Sequence, residues 1–207
     1  MNTPYPIAFP FHAMATGGNI FGLKSMLQKV GPDHAASIIN ARDHRGFTVL
    51  HKAMESGDMA IVRLLIEFDA DISAEVTGSD PEGWTALHLA AFDDHPAVID
   101  FLANHGAELG HQGKGSTRMT PIRVAVTRDN PESVKILLAL GADPLEKTPQ
   151  GFTLLHEAAN IGNRNIVEQL LSAGCDPLAK ASDGSTPSMW AAQHGDDDLL
   201  RLLAGAG

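Results

Sequence analysis

The chain has 207 residues, 43% of them hydrophobic, and its 15 Lys and Arg against 25 Asp and Glu leave a formal net charge of −10. That length suits one elongated array or about one and a half globular domains, and the acidity weighs against nucleic-acid binding, which needs clustered Lys and Arg against phosphates. One cysteine rules out an internal disulfide, no basic-then-apolar leader opens the chain, and no stretch approaches the ~20 apolar residues of a membrane span, so the expectation is a soluble cytoplasmic protein without cofactor or metal.

Residues 1–10 hold Pro4, Pro6 and Pro10 and read as an extended lead-in. A short helix is expected from Phe11 to Ala15, broken by Gly17-Gly18. Leu23, Met26, Leu27 and Val30 then share one face of a second helix. Gly31-Pro32-Asp33 and the run to Asn40 read as a long exit loop. Residues 1–42 therefore form a lead-in and a degenerate first helix pair. The Thr-x-x-His phrase of the later units is missing from it, as a terminal cap allows.

From residue 43 one phrase recurs. It reads Gly46-Phe47-Thr48-Val49-Leu50-His51-Lys52-Ala53, then Gly83-Trp84-Thr85-Ala86-Leu87-His88-Leu89-Ala90-Ala91, then Gly151-Phe152-Thr153-Leu154-Leu155-His156-Glu157-Ala158-Ala159. Weaker copies are Thr120-Pro121-Ile122-Arg123-Val124-Ala125 and Thr186-Pro187-Ser188-Met189-Trp190-Ala191. The leading threonines are spaced 37, 35, 33 and 33 residues apart. Each threonine is an N-cap whose hydroxyl accepts from a first-turn amide. A short helix follows and ends at Gly57, Asp94, Asp129, Gly162 and Gly195, a slot suited to left-handed backbone. A second helix then opens, with Pro96 and Pro131 fitting its first turn. Its apolar stripe is Ile61/Val62/Leu64/Leu65 and the later equivalents Val98/Ile99/Phe101/Leu102, Val134/Ile136/Leu137, Ile166/Val167/Leu170 and Leu199/Leu200/Leu202/Leu203. One such pair cannot bury its own apolar face; stacked neighbours can.

A period near 33 with Thr-Pro-Leu-His-x-Ala is the ankyrin signature, so the chain resembles an ankyrin-repeat protein from about residue 43 to its end. The resemblance implies an all-α solenoid of helix-turn-helix units with β-hairpin or loop fingers. Its units would run about 43–79, 80–114, 115–147, 148–180 and 181–207, the last a C-terminal cap. It also implies that His51, His88 and His156 are structural, tying neighbouring units together. Arg123 and Met189 depart from that slot, so looser packing is expected there.

No Gly-x-Ser-x-Gly or His-Glu-x-x-His occurs, and Gly113-Lys114-Gly115-Ser116 lacks the spacing of a phosphate loop. Asp196-Asp197-Asp198 suits the positive start of the last helix, and Cys175 reads as a packed small residue. The extra residues of the long steps fall in the fingers at 74–84 and 110–119, which are contact surface or drift in a tolerant loop.

The resemblance places partner contacts on the fingers and at the end of each first helix. The residues before the threonines are Phe47, Trp84, Met119, Phe152 and Ser185, and four of the five are large and apolar. Trp84, Phe92 and Phe47 are the expected anchors, on fingers expected to be exposed. Arg45, Glu55, Glu82, Asp93, Arg118, Met119, Arg128 and Phe152 complete the expected partner-binding set. Further surface positions are His44, Ser56, Pro81, Ser116, Thr117, Thr127, Pro149, Gln150, Asn160, Ile161, Ser182, Asp183, Gln193 and His194. Glu67, Asp69, Asp71, Glu75, Asp80 and Glu82 make the first two units acidic, and Lys114, Arg118, Arg123 and Arg128 make the third basic, a pattern that would steer a partner of opposite charge order. The expected function is a non-catalytic, monomeric protein-binding module, an adaptor or an inhibitor or immunity-type protein. The alternative is a binder of a small anionic ligand, or an enzyme, using the Gly/Lys-rich third finger.

Overall fold

The computed structural model describes residues 9–78, 80–114, 118–193 and 195–205, and of Phe9, Pro32 and Asp33 the backbone alone. The lead-in expected over residues 1–10 lies outside them, except that Phe9 and Pro10 are already helical. Thirteen helices fill the described residues: α1 Phe9–Thr16, α2 Ile20–Val30, α3 Pro32–Ile39, α4 Val49–Ala53, α5 Met59–Glu67, α6 Ala86–Phe92, α7 Pro96–Asn104, α8 Pro121–Thr127, α9 Pro131–Ala139, α10 Leu154–Ile161, α11 Arg164–Ser172, α12 Pro187–Gln193 and α13 Asp197–Gly205.

Local capping starts each first helix. Thr48, Thr85, Thr120 and Thr153 take extended backbone at the N-caps of α4, α6, α8 and α10. In the three phrases that carry it, the histidine three residues on completes a reciprocal capping box. The slot that ends each first helix has positive φ in all five copies: Gly57 60°, Asp94 56°, Asp129 63°, Gly162 85° and Gly195 67°. The reversal there folds the second helix back onto the first.

First helices stack on first helices in the order α1, α4, α6, α8, α10, α12, and second helices on second helices in the order α2, α5, α7, α9, α11. The seam between the layers is the core. Leu50, Ile61, Leu65, Leu87, Ile99, Leu102 and Ile122 are essentially inaccessible in it. Among the described residues the fingers are loops without paired strands, with one isolated antiparallel bridge, Lys147 to Thr153. Backbone bonds close each: Asp43 N to Phe47 O at 2.8 Å, Val76 N to Trp84 O at 2.7 Å, Gly113 N to Met119 O at 2.9 Å, Thr148 N to Phe152 O at 2.9 Å and Ala181 N to Ser185 O at 2.9 Å, with Gly83 N to Val76 O at 2.8 Å doubling the second.

One expectation for the N-terminal unit is corrected and one is refined. The exit loop after Gly31 is the helix α3, with Pro32 in its first turn and Ala35 and Ile39 buried beneath it. The Thr-x-x-His phrase is missing here as expected, but its histidine position is kept: His12, buried in α1, places Nε2 2.9 Å from the carbonyl of Phe47. Pro10-Phe11-His12 matches Pro121-Ile122-Arg123 in position, with Phe9 where the threonine stands elsewhere.

Adjacent fingers touch through backbone, and Gly46 is the tightest point. Its φ is 80°, and a Cβ there would lie 1.7 Å from the carbonyl oxygen of Thr77 on the next finger. Gly46→Ala is expected to cost about 3 kcal/mol through left-handed strain plus displacement of that finger. Gly18→Ala, at φ 69° with open space around it, carries the strain alone at about 1 kcal/mol. Urea midpoints of the two variants check the difference; equal losses would contradict the close-approach argument.

Candidate protein-contact face

Neutral histidines set the finger positions. The Nδ1 atoms of His51, His88 and His156 accept the backbone N–H of Thr48, Thr85 and Thr153 at 3.0, 3.2 and 3.2 Å. The proton therefore sits on Nε2, which donates to the finger of the following unit: Ala74 O at 2.9 Å, Met119 O at 3.0 Å and Ser185 O at 3.1 Å. Burial pushes His51 and His88 down to a pKa of about 4 and lowers His156 as well, which keeps both roles intact at neutral pH. A second strap starts three of the second helices, α7, α9 and α11. His95 Nε2 donates to Met54 O at 2.9 Å, Asn130 to Ala91 O and Phe92 O at 2.8 and 3.0 Å, and Asn163 to Asp129 Oδ1 at 2.6 Å.

Arg123 replaces the histidine with a denser link, so the looseness expected at that slot is absent. The side chain is 4% exposed; Nε donates to Glu146 Oε1 at 2.7 Å and an η-nitrogen to Glu157 Oε1 at 2.6 Å. A second η-nitrogen reaches the carbonyl of Glu146 at 3.3 Å, and Thr120 donates its hydroxyl to Glu146 Oε2 at 2.7 Å. Burial pushes the Glu157 carboxyl up, against the pull of Arg123. Met189 takes the slot in the last phrase and is 56% exposed.

On this scaffold the expected contact residues divide. Phe47 is 6% exposed and does not project. It meets His51 edge-on at 6.0 Å and lies beneath Arg45 and Lys52, at 5.3 and 4.9 Å from its ring centroid. Phe47 is thus a platform for two cations, and Lys52 in turn pairs with exposed Glu55 at 2.5 Å. Trp84 and Phe92 are half-buried. Trp84 stacks on His88 at 5.6 Å and meets Phe92 at 5.8 Å, and exposed Arg128 lies over Phe92 at 4.2 Å. Asp93 is exposed beside them, its carboxyl raised first by partial desolvation and then by the charge of Glu55. Phe152 is half-buried, 5.0 Å from Trp190. Trp190 is a further large aromatic of this face that the family's contact positions miss, because it sits one helical turn in from its threonine. Met119 is half-buried; Glu82 and Arg118 are exposed, Arg118 with φ 43°. Ser116, Thr117 and His194 lie outside the described residues.

The expected charge order weakens in three dimensions. Glu75 pairs with Lys114 at 2.5 Å and His111 at 3.5 Å, which lowers its carboxyl pKa and neutralises the cation on which an anionic-ligand site at the third finger depends. With Arg123 buried as well, Arg118 and Arg128 remain as the exposed cations of the expected basic patch. Among the described residues no group of three or more His, Cys, Asp and Glu side chains is placed to hold a metal, and no helix is long and apolar enough to cross a membrane.

Residues 11–113 and 122–207 match the family model described as ankyrin repeats in three copies. The chain is 35% identical over 157 residues to a "Transient receptor potential cation channel subfamily A member 1 homolog" of Caenorhabditis elegans, covering 76% of this chain and 12% of that protein. It is 30% identical over 133 residues to "BCL-6 corepressor-like protein 1" of Homo sapiens, covering 64% and 7%. It is 34% identical over 92 residues to "Notch-regulated ankyrin repeat-containing protein A" of Danio rerio, covering 44% and 77%. The chain thus spans about an eighth or less of the first two relatives.

Proposed function

Because the chain belongs to the ankyrin-repeat family, we propose that it is a non-catalytic module that grips one partner protein on its fingers and first helices, as an adaptor or as an inhibitor or immunity-type protein that occludes its partner. The observation that carries this reading is the cluster Trp84–Phe92–Arg128: two half-exposed rings and a cation held across neighbouring units. Aromatic and arginine side chains on a rigid base lose little entropy on contact and dominate interface energies. The reading places the protein in the cytoplasm as a monomer, where the unpaired Cys175 stays reduced.

Affinity capture from native lysate with mass spectrometry, then binding measurements on the captured partner, test it. Trp84→Ala is expected to weaken binding by roughly 30-fold or more. Arg128→Glu, at an exposed side chain whose loss leaves the core untouched, weakens it in parallel. Lys114→Ala leaves it within about twofold, as for an exposed ion pair. A partner indifferent to Trp84→Ala and Arg128→Glu but lost in Lys114→Ala would overturn the assignment.

A further inference from the structure

We propose that the turns leading into the fourth and fifth fingers form a second docking groove, which takes a partner's peptide segment carrying a large apolar side chain flanked by acidic residues. Asp143-Pro144-Leu145-Glu146-Lys147 and Asp176-Pro177-Leu178-Ala179-Lys180 are one turn written twice. In each, the aspartate Oδ1 accepts the leucine N–H at 2.9 Å, which fixes the turn. The leucines stand out from it at 56% and 63% exposure, two of the few large apolar side chains of the described residues so placed.

The first two units do not share the feature. At the leucine position they carry Ser73 and Gly110, and at the lysine position Glu75 and Gln112. The apolar and cationic side chains are therefore local to two neighbouring units and are not a property of the turn itself.

Between the two turns runs an open groove of about 380 Å³, lined by Pro144, Leu145, Cys175 and Leu178 and bordered by Lys147 and Lys180. Cys175 forms an inert floor: its thiol donates to Pro144 O at 3.2 Å, and burial pushes its pKa up to about 11. Neither lysine is held in an ion pair among the described residues. Asp176 also borders the groove, so its charged lining sums to one positive charge, on a chain whose net charge is −10. Exposed leucines favour an apolar side chain that removes them from water, and the lysine pair selects carboxylates beside it. None of the expected partner-contact residues lines this groove, so it stands apart from the face around Trp84.

The test is subtractive selection of displayed random peptides on the full chain against its Leu145→Ser/Leu178→Ser variant, both checked for folding by circular dichroism. Peptides enriched on the parent chain are expected to share a Leu, Ile, Met or Phe beside Asp or Glu. A selected peptide, fluorescently labelled, should lose at least tenfold in affinity to Lys147→Glu/Lys180→Glu and keep its affinity for Trp84→Ala. No differential enrichment, or enriched peptides lacking acidic residues, would overturn the proposal. So would light scattering that shows the parent chain dimeric and the leucine variant monomeric, since the occupant would then be a second copy. Loss in Trp84→Ala alone would return the peptide to the first face and also defeat the proposal.

Discussion

Arg123→Met is expected to lower stability by about 3–5 kcal/mol, the cost of breaking a buried ion pair by removing one partner. The guanidinium sits between Glu146 and Glu157 at 2.7 and 2.6 Å with its side chain 4% exposed. Without it two partly buried carboxylates face each other across the junction of the third and fourth units, and Glu157 Oε2 already lacks a hydrogen-bond partner among the described residues. Burial already pushes Glu157 up, and loss of the cation pushes it further. The folded variant then holds a proton that the unfolded chain releases, so its deficit deepens as pH rises from 5 to 8. Arg123→Met/Glu146→Gln/Glu157→Gln should recover most of the loss, since an ion cluster exchanged as a whole for neutral groups is often nearly neutral in stability. Urea midpoints at pH 5 and 8 check both statements. A single variant as stable as the parent would mean that the triad contributes nothing beyond its own desolvation.

Acid is expected to destabilise the chain from about pH 6.5 downward, starting before its carboxylates titrate. His51 and His88 have folded pKa values of about 4 against an ordinary 6.5. Above 6.5 both states hold neutral imidazoles and the full contribution is present. Between 6.5 and about 4 the unfolded chain binds protons that the folded chain refuses, so stability falls as pH falls, by up to about 1.4 kcal/mol per pH unit for each histidine. His156 shifts in the same direction. Protonated Nδ1 no longer accepts the threonine amide, so cap and finger link fail together. Denaturation followed from pH 7.5 to 4 should show this slope, and His88→Gln should remove one histidine's share of it while starting from a lower stability at pH 7.5. An unchanged slope in His88→Gln would place the acid sensitivity elsewhere.

Legibility followed the range of the forces involved. The N-caps at Thr48, Thr85, Thr120 and Thr153, the positive-φ slots from Gly57 to Gly195 and the apolar stripes of the second helices could all be read from the chain. Each depends on residues within a turn or two of itself. The family's histidine rule correctly placed the links of His51, His88 and His156 to the next unit, because the partner there is a backbone carbonyl, present whatever the residue. Pro10-Phe11-His12 carries the signal for His12, masked because Phe9 stands in the threonine's place.

Where side chains of different units meet, only the folded stack decides. By sequence Arg123 implies looser packing, but in the stack Glu146 and Glu157, 23 and 34 residues on, enclose its guanidinium. Phe47 has the sequence position of an exposed anchor, but Arg45 and Lys52 lie over its ring, and Lys114, a free cation by sequence, pairs with Glu75. The sequence by itself determined a stack of capped helix pairs, since capping, turning and striping are local and repeat. Which side chains are spent inside the stack and which remain to meet a partner was decided by tertiary structure alone, because burial and charge pairing depend on neighbours that the repeat period brings close in space and keeps distant in the chain.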